Sequence, residues 1–364
     1  MKIKSISLSD FRNIEKEKIE FSDGVNLIYG HNAQGKTNAL EAIYYFARGR
    51  SFRTSRDLDL IKKEKEKFHI EILFEDKERE RTLSCTIGKK ERIRKKNGIK
   101  IEKISEMIGL FHAVLFCPEH LSLVKGAPEE RRSFLNIAIS QVYPAYIGIY
   151  ASYMKLLENR NCLLKMAQKG FPIDYEEIRV FSEKMADAAA EIYSYRKRYI
   201  QKIEKHASFI LSEISEGKEA LSLLYESDIE EGEDIKKEYR KKLTENIQNE
   251  IGVGYSLYGI HRDDICIKIN KEDARIFASQ GQQRSIVLAL KEAEGEVVYE
   301  VTGEYPVFLF DDVLSELDEK RQSYLLKGSD KRQIIITSCS DEDFKDIVKT
   351  SIYTEGGRYV SSHR

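Results

Sequence analysis

The sequence predicts an α/β fold in which a phosphate-binding sheet and a β-rich lobe are combined with a mainly helical insertion. Three observations lead to this fold class. An apolar run at 25–29 stops at a glycine and is followed by helical periodicity at 36–47. A second apolar run, 307–310, ends in two aspartates. Between these segments, from residue 129 to about residue 215, apolar residues mostly recur at spacings of three and four, as on one face of a helix.

Composition limits the classes of protein that this chain can represent. It has 364 residues, of which 41% are hydrophobic, so it can form a sizeable core. Sixty lysines and arginines are matched by 61 acidic residues, which excludes a uniformly basic protein. Any surface for a polyanion must therefore be a local patch.

The spacing of the cysteines and the distribution of apolar residues indicate the cellular compartment. The five cysteines are far apart and form no C-x-x-C pair, which argues against a zinc site or a disulfide framework and fits a reducing cytosol. The N-terminus shows no apolar signal segment, and no stretch approaches the ~18 to 20 apolar residues that span a bilayer. We therefore expect a soluble protein of the cytoplasm.

The N-terminal third is predicted to be a β-rich lobe around one strand–loop–helix unit. Residues 68–74 and 83–87 alternate between apolar and polar, as half-buried strands do. Residues 92–96 and 99–101 flank Asn97-Gly98, which is a strong signal for a two-residue hairpin turn.

The middle of the chain is predicted to be helical. Breaks near Pro144 and at 170–172 divide the segment from 129 to about 215 into about three helices. A short strand at 221–225 and a charged helix at 233–250 follow, and strands return at Gly254.

These transitions define two predicted domains. Residues 1–125 and 254–364 are assigned to a discontinuous head domain, and residues 126–253 to a helical insertion. Helical periodicity at 284–300 and an apolar strand at 333–337 belong to the second half of the head.

The loop after the first apolar run is a P-loop. The segment from Gly30 to Thr37 satisfies G-x-x-x-x-G-K-[ST] and lies between a strand and a helix, as this motif requires. Backbone N–H groups and the helix N-terminus hold phosphates, Lys36 adds a positive charge, and Thr37 offers a hydroxyl to Mg²⁺. The sequence thus predicts binding of ATP with Mg²⁺. The predicted nucleotide-binding residues are Gly30, His31, Asn32, Ala33, Gln34, Gly35, Lys36 and Thr37.

The second apolar run supplies the acidic partner of the P-loop. Asp311 emerges at the carboxyl end of this predicted central strand, beside the P-loop, and is expected to reach Mg²⁺ through water. Asp312 is placed to orient or activate the attacking water. We therefore predict Lys36, Asp311 and Asp312 as catalytic residues. The alternative is a plain acidic surface turn.

A third motif begins at Ser279, just ahead of a predicted helix. Alone, Ser279 could be an ordinary N-cap. Between the two motifs above, the segment 279–284 resembles the signature of ABC-type ATPases. In that superfamily the signature of one subunit contacts the γ-phosphate held by the other. The resemblance therefore implies a head-to-head dimer in which Ser279, Gly281 and Gln282 act in trans, with Ser315 and Asp318 in a D-loop along the dimer seam.

The sequence also indicates which kind of ABC-type ATPase head this chain resembles. Sustained heptads are absent, which argues against the long coiled coils of structural-maintenance ATPases. The chain instead resembles the RecF family of bacterial recombination mediators. The matching pieces, which span nearly its whole length, are 11–13, 30–41, 49–53, 116–119, 126–128 with Arg131 and Arg132, 259–264, 279–285 and 311–318.

This resemblance implies an ATP-dependent DNA-binding protein that dimerises on ATP. Its expected substrate is gapped DNA or a junction of single- and double-stranded DNA, and its expected partners are RecR and RecO, with which it would help to load RecA. Such a protein would be associated with the nucleoid. Arg12 and Asn13 would lie near the adenine or ribose, although Arg12 could also be a solvated surface residue.

Three departures from the related patterns affect the mechanism. Ile260 stands where the family usually has proline. Asp312 stands where many ABC-type heads carry glutamate, and its shorter reach suggests slow hydrolysis, as in a switch. After the strand 333–337, where many heads carry a switch histidine, the chain has Thr337-Ser338-Cys339. Sensing of the γ-phosphate is therefore expected to depend more on Ser279.

The densest run of basic residues is a candidate DNA surface. Phosphate contacts by such residues bind without reading sequence and weaken with salt. An edge strand kept soluble by lysines is the alternative. The candidate DNA-binding residues, all on the predicted hairpin, are Lys89, Lys90, Arg92, Arg94, Lys95 and Lys96. The cluster 261–264 is interpreted as a hydrogen-bonded brace.

Two alternatives from other classes were set against this function. One is a soluble ABC-type nucleotide-binding subunit that energises a membrane partner. The other is a P-loop kinase that acts on a small molecule, against which the signature segment argues.

Overall fold

The computed structural model describes residues 1–229, 234–314, 317–326, 328–342 and 347–363. Strands and helices are numbered along the chain. The strands are β1 (Lys2–Phe11), β2 (Ile14–Glu20), β3 (Val25–Tyr29), β4 (Lys67–Glu75), β5 (Glu80–Gly88), β6 (Arg92–Lys96), β7 (Ile99–Ile101), β8 (Ala113–Phe116), β9 (Leu221–Glu226), β10 (Asp264–Ile269), β11 (Glu272–Asp273), β12 (Val307–Asp311), β13 (Ile334–Ser338), β14 (Thr350–Glu355) and β15 (Arg358–His363). The helices are α1 (Lys36–Arg48), α2 (Ser122–Lys125), α3 (Pro128–Val142), α4 (Ala145–Gln168), α5 (Tyr175–Ser215), α6 (Ile235–Glu245), α7 (Ile247–Val253), α8 (Ala274–Phe277), α9 (Gln280–Thr302) and α10 (Glu319–Leu326).

These elements fall into two units. The first consists of Met1–Leu121, His206–Glu219 and Ser279–Arg364, and the second of Ser122–Lys205 and Ala220–Ala278. None of the helices in the described ranges combines the length and apolar character that crossing a bilayer requires.

The β-rich lobe of the first unit is an antiparallel sheet in the order β2-β1-β4-β5-β6-β7. Its inner face is built by alternation, and Phe68, Ile70 and Ile72 of β4 are fully buried. The predicted hairpin is confirmed: β6 pairs with β7 around Asn97 and Gly98, whose φ values of 48° and 80° suit a two-residue turn.

The phosphate-binding sheet has the order β15-β14-β3-β13-β12-β8, and every pairing except β14 with β15 is parallel. Its central strands are continuous apolar runs because both faces are covered, here by α1 and α9. Since parallel strands end at the same edge, the loop after β3 and the end of β12 lie close together.

The C-terminal hairpin of β14 and β15 was not predicted from the sequence. Its turn is Gly356-Gly357, and both glycines have positive φ. A glycine pair between two β-prone runs is itself a hairpin signal, so the sequence carried the information.

The second unit contains α3, α4 and most of α5. The predicted break near Pro144 separates α3 from α4, and the break at 170–172 separates α4 from α5. The single charged helix predicted at 233–250 is wrong in one respect. Asn246 leaves the helical conformation at ψ 9° and divides the segment into α6 and α7.

The two units divide the chain differently from the predicted domains. Residues 254–278 were assigned to the head but lie in the second unit, because β10 pairs along its whole length with β9. His206–Glu219 was assigned to the insertion but lies in the first unit, where His206 Nε2 is 3.0 Å from Glu300 Oε2. Register and packing, which are non-local, set both boundaries.

Buried ion pairs organise the second unit, and the cluster interpreted as a brace takes part in them. Asp264 receives a two-point contact from Arg131, with both N–O distances 2.7 Å. Asp263 is 2% exposed and accepts from the fully buried Arg196 at 3.4 Å and from the Tyr225 hydroxyl. These contacts pair both aspartates with arginines of the same unit.

Candidate nucleotide-binding site

The P-loop has the backbone shape that phosphate binding needs. Gly30 and Gly35 have φ values of 152° and 118°, and a Cβ on Gly30 would lie 2.3 Å from the carbonyl oxygen of Thr354, so only glycine fits there. No side chain caps the N-terminus of α1. The N–H groups of its first turn can therefore serve an anion.

Lys36 is directed along the same loop. It is 7% exposed, and its Nζ donates to the carbonyl oxygens of Gly30 at 2.6 Å and His31 at 3.2 Å. Both acceptors are neutral backbone groups. A phosphate would offer the ammonium group a stronger, charged acceptor at the same loop.

The predicted ligands of Mg²⁺ lie together. Thr37 Oγ1 is 2.9 Å from Asp311 Oδ1, and that oxygen also accepts from Thr337 Oγ1 at 2.8 Å. Burial raises the pKa of Asp311, which is 6% exposed. A hydroxyl and a carboxylate oxygen at this separation fit Mg²⁺, which takes few protein ligands and keeps several waters. Thr337 is a further contact that the sequence did not indicate.

Asp312 has a different environment from its neighbour. It is exposed, its φ is 54°, and its N–H donates to Thr337 Oγ1 at 2.9 Å. A positive φ is uncommon for aspartate and turns the chain sharply after β12. Asp311 is thereby held inside and Asp312 faces solvent at the same strand end, where it can accept a proton or orient water.

Cys339 occupies the place where a switch histidine was sought. Its Sγ donates to Asn32 Oδ1 at 3.1 Å and lies 3.6 Å from Lys36 Nζ. This thiol follows β13, the strand between β3 and β12. The sequence signal was that strand position. The expectation that γ-phosphate sensing depends more on Ser279 did not consider this thiol, which is already in contact with the P-loop.

The C-terminal hairpin holds the P-loop from the other side. Gly356 N–H donates to Gln34 Oε1 at 2.6 Å, and Gly357 N–H donates to the Gln34 carbonyl oxygen at 3.0 Å. The buried hydroxyl of Tyr359 donates to the Gly35 carbonyl oxygen at 2.8 Å. Sequence reasoning missed these residues because they lie more than 300 positions from the loop.

Arg12 and Asn13 were predicted to lie near the adenine or ribose. Arg12 makes a two-point contact with the fully buried Glu41, at 2.9 and 2.7 Å, and its side chain remains 21% exposed. Asn13 is beside the P-loop, since its Nδ2 donates to the Gln34 carbonyl oxygen at 3.3 Å. A direct role for Arg12 at the base stays a prediction.

The signature segment forms the N-terminus of α9. Ser279 Oγ accepts from Gln282 N–H at 3.3 Å, and Gln282 Oε1 accepts from Ser279 N–H at 2.9 Å, which is a capping box. Ser279 is thus an N-cap and is also exposed, so the two sequence interpretations are compatible. Arg321 links Gly281 to Asp318 of the predicted D-loop. Ser315 lies outside the described residues.

The basic residues of the hairpin differ in exposure. Lys89, Lys90, Arg92 and Lys95 are exposed, and Lys95 stands directly opposite Lys100. Arg94 and Lys96 are only half-exposed. Like charges placed opposite each other are unfavourable in isolation. Their presence on β6 and the edge strand β7 fits both a polyanion surface and protection against edge pairing.

The strand order, the P-loop and the acidic strand end together define a P-loop ATPase head of the RecF and SMC type. The sequence model for "RecF/RecN/SMC N terminal domain" matches residues 2–357. The chain is 40% identical to the DNA replication and repair protein RecF of Geobacillus sp. (strain WCH70), with 98% of each chain covered. It is also 40% identical to RecF of Listeria monocytogenes, with 100% of each covered. The chain therefore belongs to the RecF/RecN/SMC family and, within it, to the RecF proteins.

Solved structures support the same assignment. A structure described as the recombination mediator protein RecF with ATP in the RecFOR pathway has a TM-score of 0.91 and 35% identity over 100% of this chain and 97% of that one. The Smc head domain from Pyrococcus furiosus has a TM-score of 0.57 at 21% identity, over 100% of this chain and 96% of that chain, which shows a shared fold alone.

Proposed function

We propose that this chain is an ATP-dependent DNA-binding protein of recombinational repair. Bound to ATP, it dimerises, holds duplex or gapped DNA, and helps RecR and RecO to load RecA. The main support is the contact of Thr37 with Asp311, which lies beside the uncapped N-terminus of the P-loop helix. This arrangement suits Mg²⁺ and a nucleoside triphosphate. The RecF structures with ATP and with ATPrS support the choice of nucleotide.

Mg²⁺, when bound, would neutralise charge on the β- and γ-phosphates. The residues of the chain have separate tasks around it. Lys36 binds the terminal phosphates, Thr37 and Asp311 hold the metal, and Asp312 orients the attacking water from the solvent side. Because Asp312 is one methylene shorter than glutamate, we expect slow hydrolysis that resets a switch.

Dimerisation would follow from sharing the γ-phosphate between two copies. Lys36 of one copy and the exposed N-terminus of α9 of the other, at Ser279, would approach it from opposite sides. ATP would then be part of the interface, and hydrolysis would release it. Asp318 would lie along this interface through its contacts with Arg321.

The experiment that tests this scheme is sedimentation with and without ATP and Mg²⁺. We expect Lys36→Ala to abolish ATP binding, and Ser279→Arg to bind ATP but stay monomeric. Ser222→Arg, at an exposed serine of β9, is the matched control and should dimerise as the unmodified chain does. Normal ATP-dependent dimers of Ser279→Arg would disprove the shared site.

DNA binding would use the exposed basic side of the hairpin. We expect the double variant Lys95→Glu, Lys100→Glu to weaken binding of a short duplex in a salt series and to lower the salt slope, because two phosphate contacts are lost. Lys63→Glu, Lys65→Glu is a charge-matched control in the same unit. Equal affinity and slope for both double variants would move the DNA surface elsewhere.

A further inference from the structure

The first unit contains a second cavity that the nucleotide site does not use. Its volume is about 310 Å³, and it opens between the end of α5, the middle of α9 and the segment that follows α10. None of its lining residues belongs to the P-loop, to the end of β12 or to the signature segment. They are Phe209, Glu213, Glu292, Glu296, Tyr305, Tyr324, Gly328, Lys331 and Arg332.

A buried carboxylate at this cavity is only half satisfied. Glu292 is 4% exposed, and its Oε2 accepts from Arg332 Nη1 at 2.5 Å. Its Oε1 has no hydrogen-bond partner within the part of the chain that the structure describes. Such a buried acceptor is costly to leave unpaired, and burial raises the pKa of Glu292, so positive charge brought to this wall of the cavity would stabilise the carboxylate.

Aromatic rings form much of the wall. Tyr305 stacks on Tyr299 at a centroid distance of 4.3 Å and donates to Glu296 at 3.3 Å. Tyr324 lies on α10, and Phe209 exposes 66% of its surface at the rim. Aromatic faces and carboxylates attract the same class of ligand, a cation with a flat or apolar surface.

The charge of the lining supports a cation. Three carboxylates stand against two basic groups, and Arg332 is already committed to Glu292 and to the Phe308 ring, 4.4 Å away. Burial and the nearby charges of Glu292 and Glu213 raise the pKa of Tyr324 to about 12. A phosphate or carboxylate ligand would be repelled here. A metal is not favoured, because no group of three or more potential ligands occurs among the described residues.

We propose that this cavity binds the arginine side chain of a partner protein. The guanidinium donates to the Glu296 carboxylate and lies against the tyrosine rings, since its planar fork can meet both carboxylate oxygens while its faces remain apolar. The exposed Phe209 at the rim gives the partner's neighbouring residues an apolar contact, which a free amino acid could not use. None of the lining residues is among those proposed to hold the nucleotide.

The test uses the full chain and a fluorescein-labelled peptide, Ac-Ala-Leu-Arg-Leu-Ala, with a second peptide in which citrulline replaces arginine. Citrulline keeps the shape and removes the charge. By fluorescence anisotropy we expect saturable binding of the arginine peptide, about tenfold tighter than that of the citrulline peptide. Glu296→Gln should weaken it about fivefold or more, because a charge-assisted hydrogen bond is lost.

A variant outside the cavity and a free arginine derivative serve as controls. Glu300→Gln lies one turn further along α9 and outside the cavity, so it should bind the arginine peptide normally. Free N-acetylarginine amide should bind more weakly than the peptide, and binding as tight as the peptide would assign the cavity to a small molecule instead. Equal binding of both peptides, or no effect of Glu296→Gln, would overturn the proposal.

Discussion

Thr37 Oγ1 and Asp311 Oδ1 lie 2.9 Å apart although 274 positions separate them in the chain. This contact joins the first turn of α1 to the carboxyl end of β12. Thr337 of β13, the strand next to β12 in the sheet, donates a hydrogen bond to the same Asp311 oxygen. Two acceptor-bearing side chains meet here beside the loop that is shaped for phosphates. The predictions below depend on this arrangement and on the contacts that hold it.

Asp311→Asn is expected to separate binding of the metal from binding of the nucleotide. The amide keeps the size and the hydrogen bond to Thr37 but removes the negative charge that Mg²⁺ requires. ATP affinity measured in EDTA should change little, whereas the gain in affinity on adding Mg²⁺ should be lost. Asp318→Asn, on the predicted D-loop, should retain that gain. An undiminished Mg²⁺ effect in Asp311→Asn would remove Asp311 from the metal site.

Tyr359→Phe is expected to weaken ATP binding from outside the motif. It deletes only the hydroxyl that donates to the Gly35 carbonyl oxygen at 2.8 Å. One neutral hydrogen bond contributes about 1 kcal/mol, so the dissociation constant for ATP should rise about fivefold. Tyr353→Phe in the same hairpin is the matched control. Should the two variants bind ATP alike, the hairpin does not position the loop.

Arg12→Ala is expected to lower the free energy of unfolding. Removal of the guanidinium leaves the fully buried Glu41 carboxylate with only the Ser51 hydroxyl and the more distant Arg53, 3.6 Å away. We expect a loss of about 3 kcal/mol in the free energy of unfolding, measured by urea denaturation. Arg12→Lys should recover little, because one ammonium cannot make both contacts. A variant of normal stability with poor ATP affinity would support the predicted contact with the base.

Protonation of His261 should destabilise the second unit in mild acid, against the opposite contribution of Asp263, whose pKa burial raises to about 6. Burial lowers the pKa of His261 to about 4, and its Nδ1 is 2.7 Å from the Tyr153 hydroxyl. The unfolded chain binds the proton more readily, at a pKa near 6.5, so the stability contributed by the neutral ring is present at pH 7 and declines as pH falls from about 6.5 towards 4.

Between pH 7 and pH 5 this effect should amount to about 1.5 kcal/mol, allowing for the partial exposure of the ring. His261→Gln lacks this contribution, so its stability relative to the unmodified chain, measured by thermal unfolding, should rise by about that amount as pH falls from 7 to 5. His206→Gln, in the first unit, should show no such rise. The same slope in His261→Gln as in the unmodified chain would mean that another group titrates.

Local patterns determined much of this protein. The periodicity of apolar residues predicted the bounds of β3, α1, α9 and β12 to within a few residues. These elements have buried faces, and a buried face requires apolar residues at regular intervals along the sequence. The P-loop, the paired aspartates and the signature segment each carry their chemistry in consecutive residues. For that reason the family could be predicted before any contact was known.

Only the tertiary structure decided which distant groups meet. The pairing of β10 with β9 drew 254–278 into the second unit, Glu41 took up Arg12, and Tyr359 and Cys339 came to the P-loop. None of these contacts has a local sequence period, because strand register and the packing of buried side chains fix them over tens to hundreds of residues. The sequence alone thus determined the motifs and the fold class, while long-range packing determined what surrounds the nucleotide.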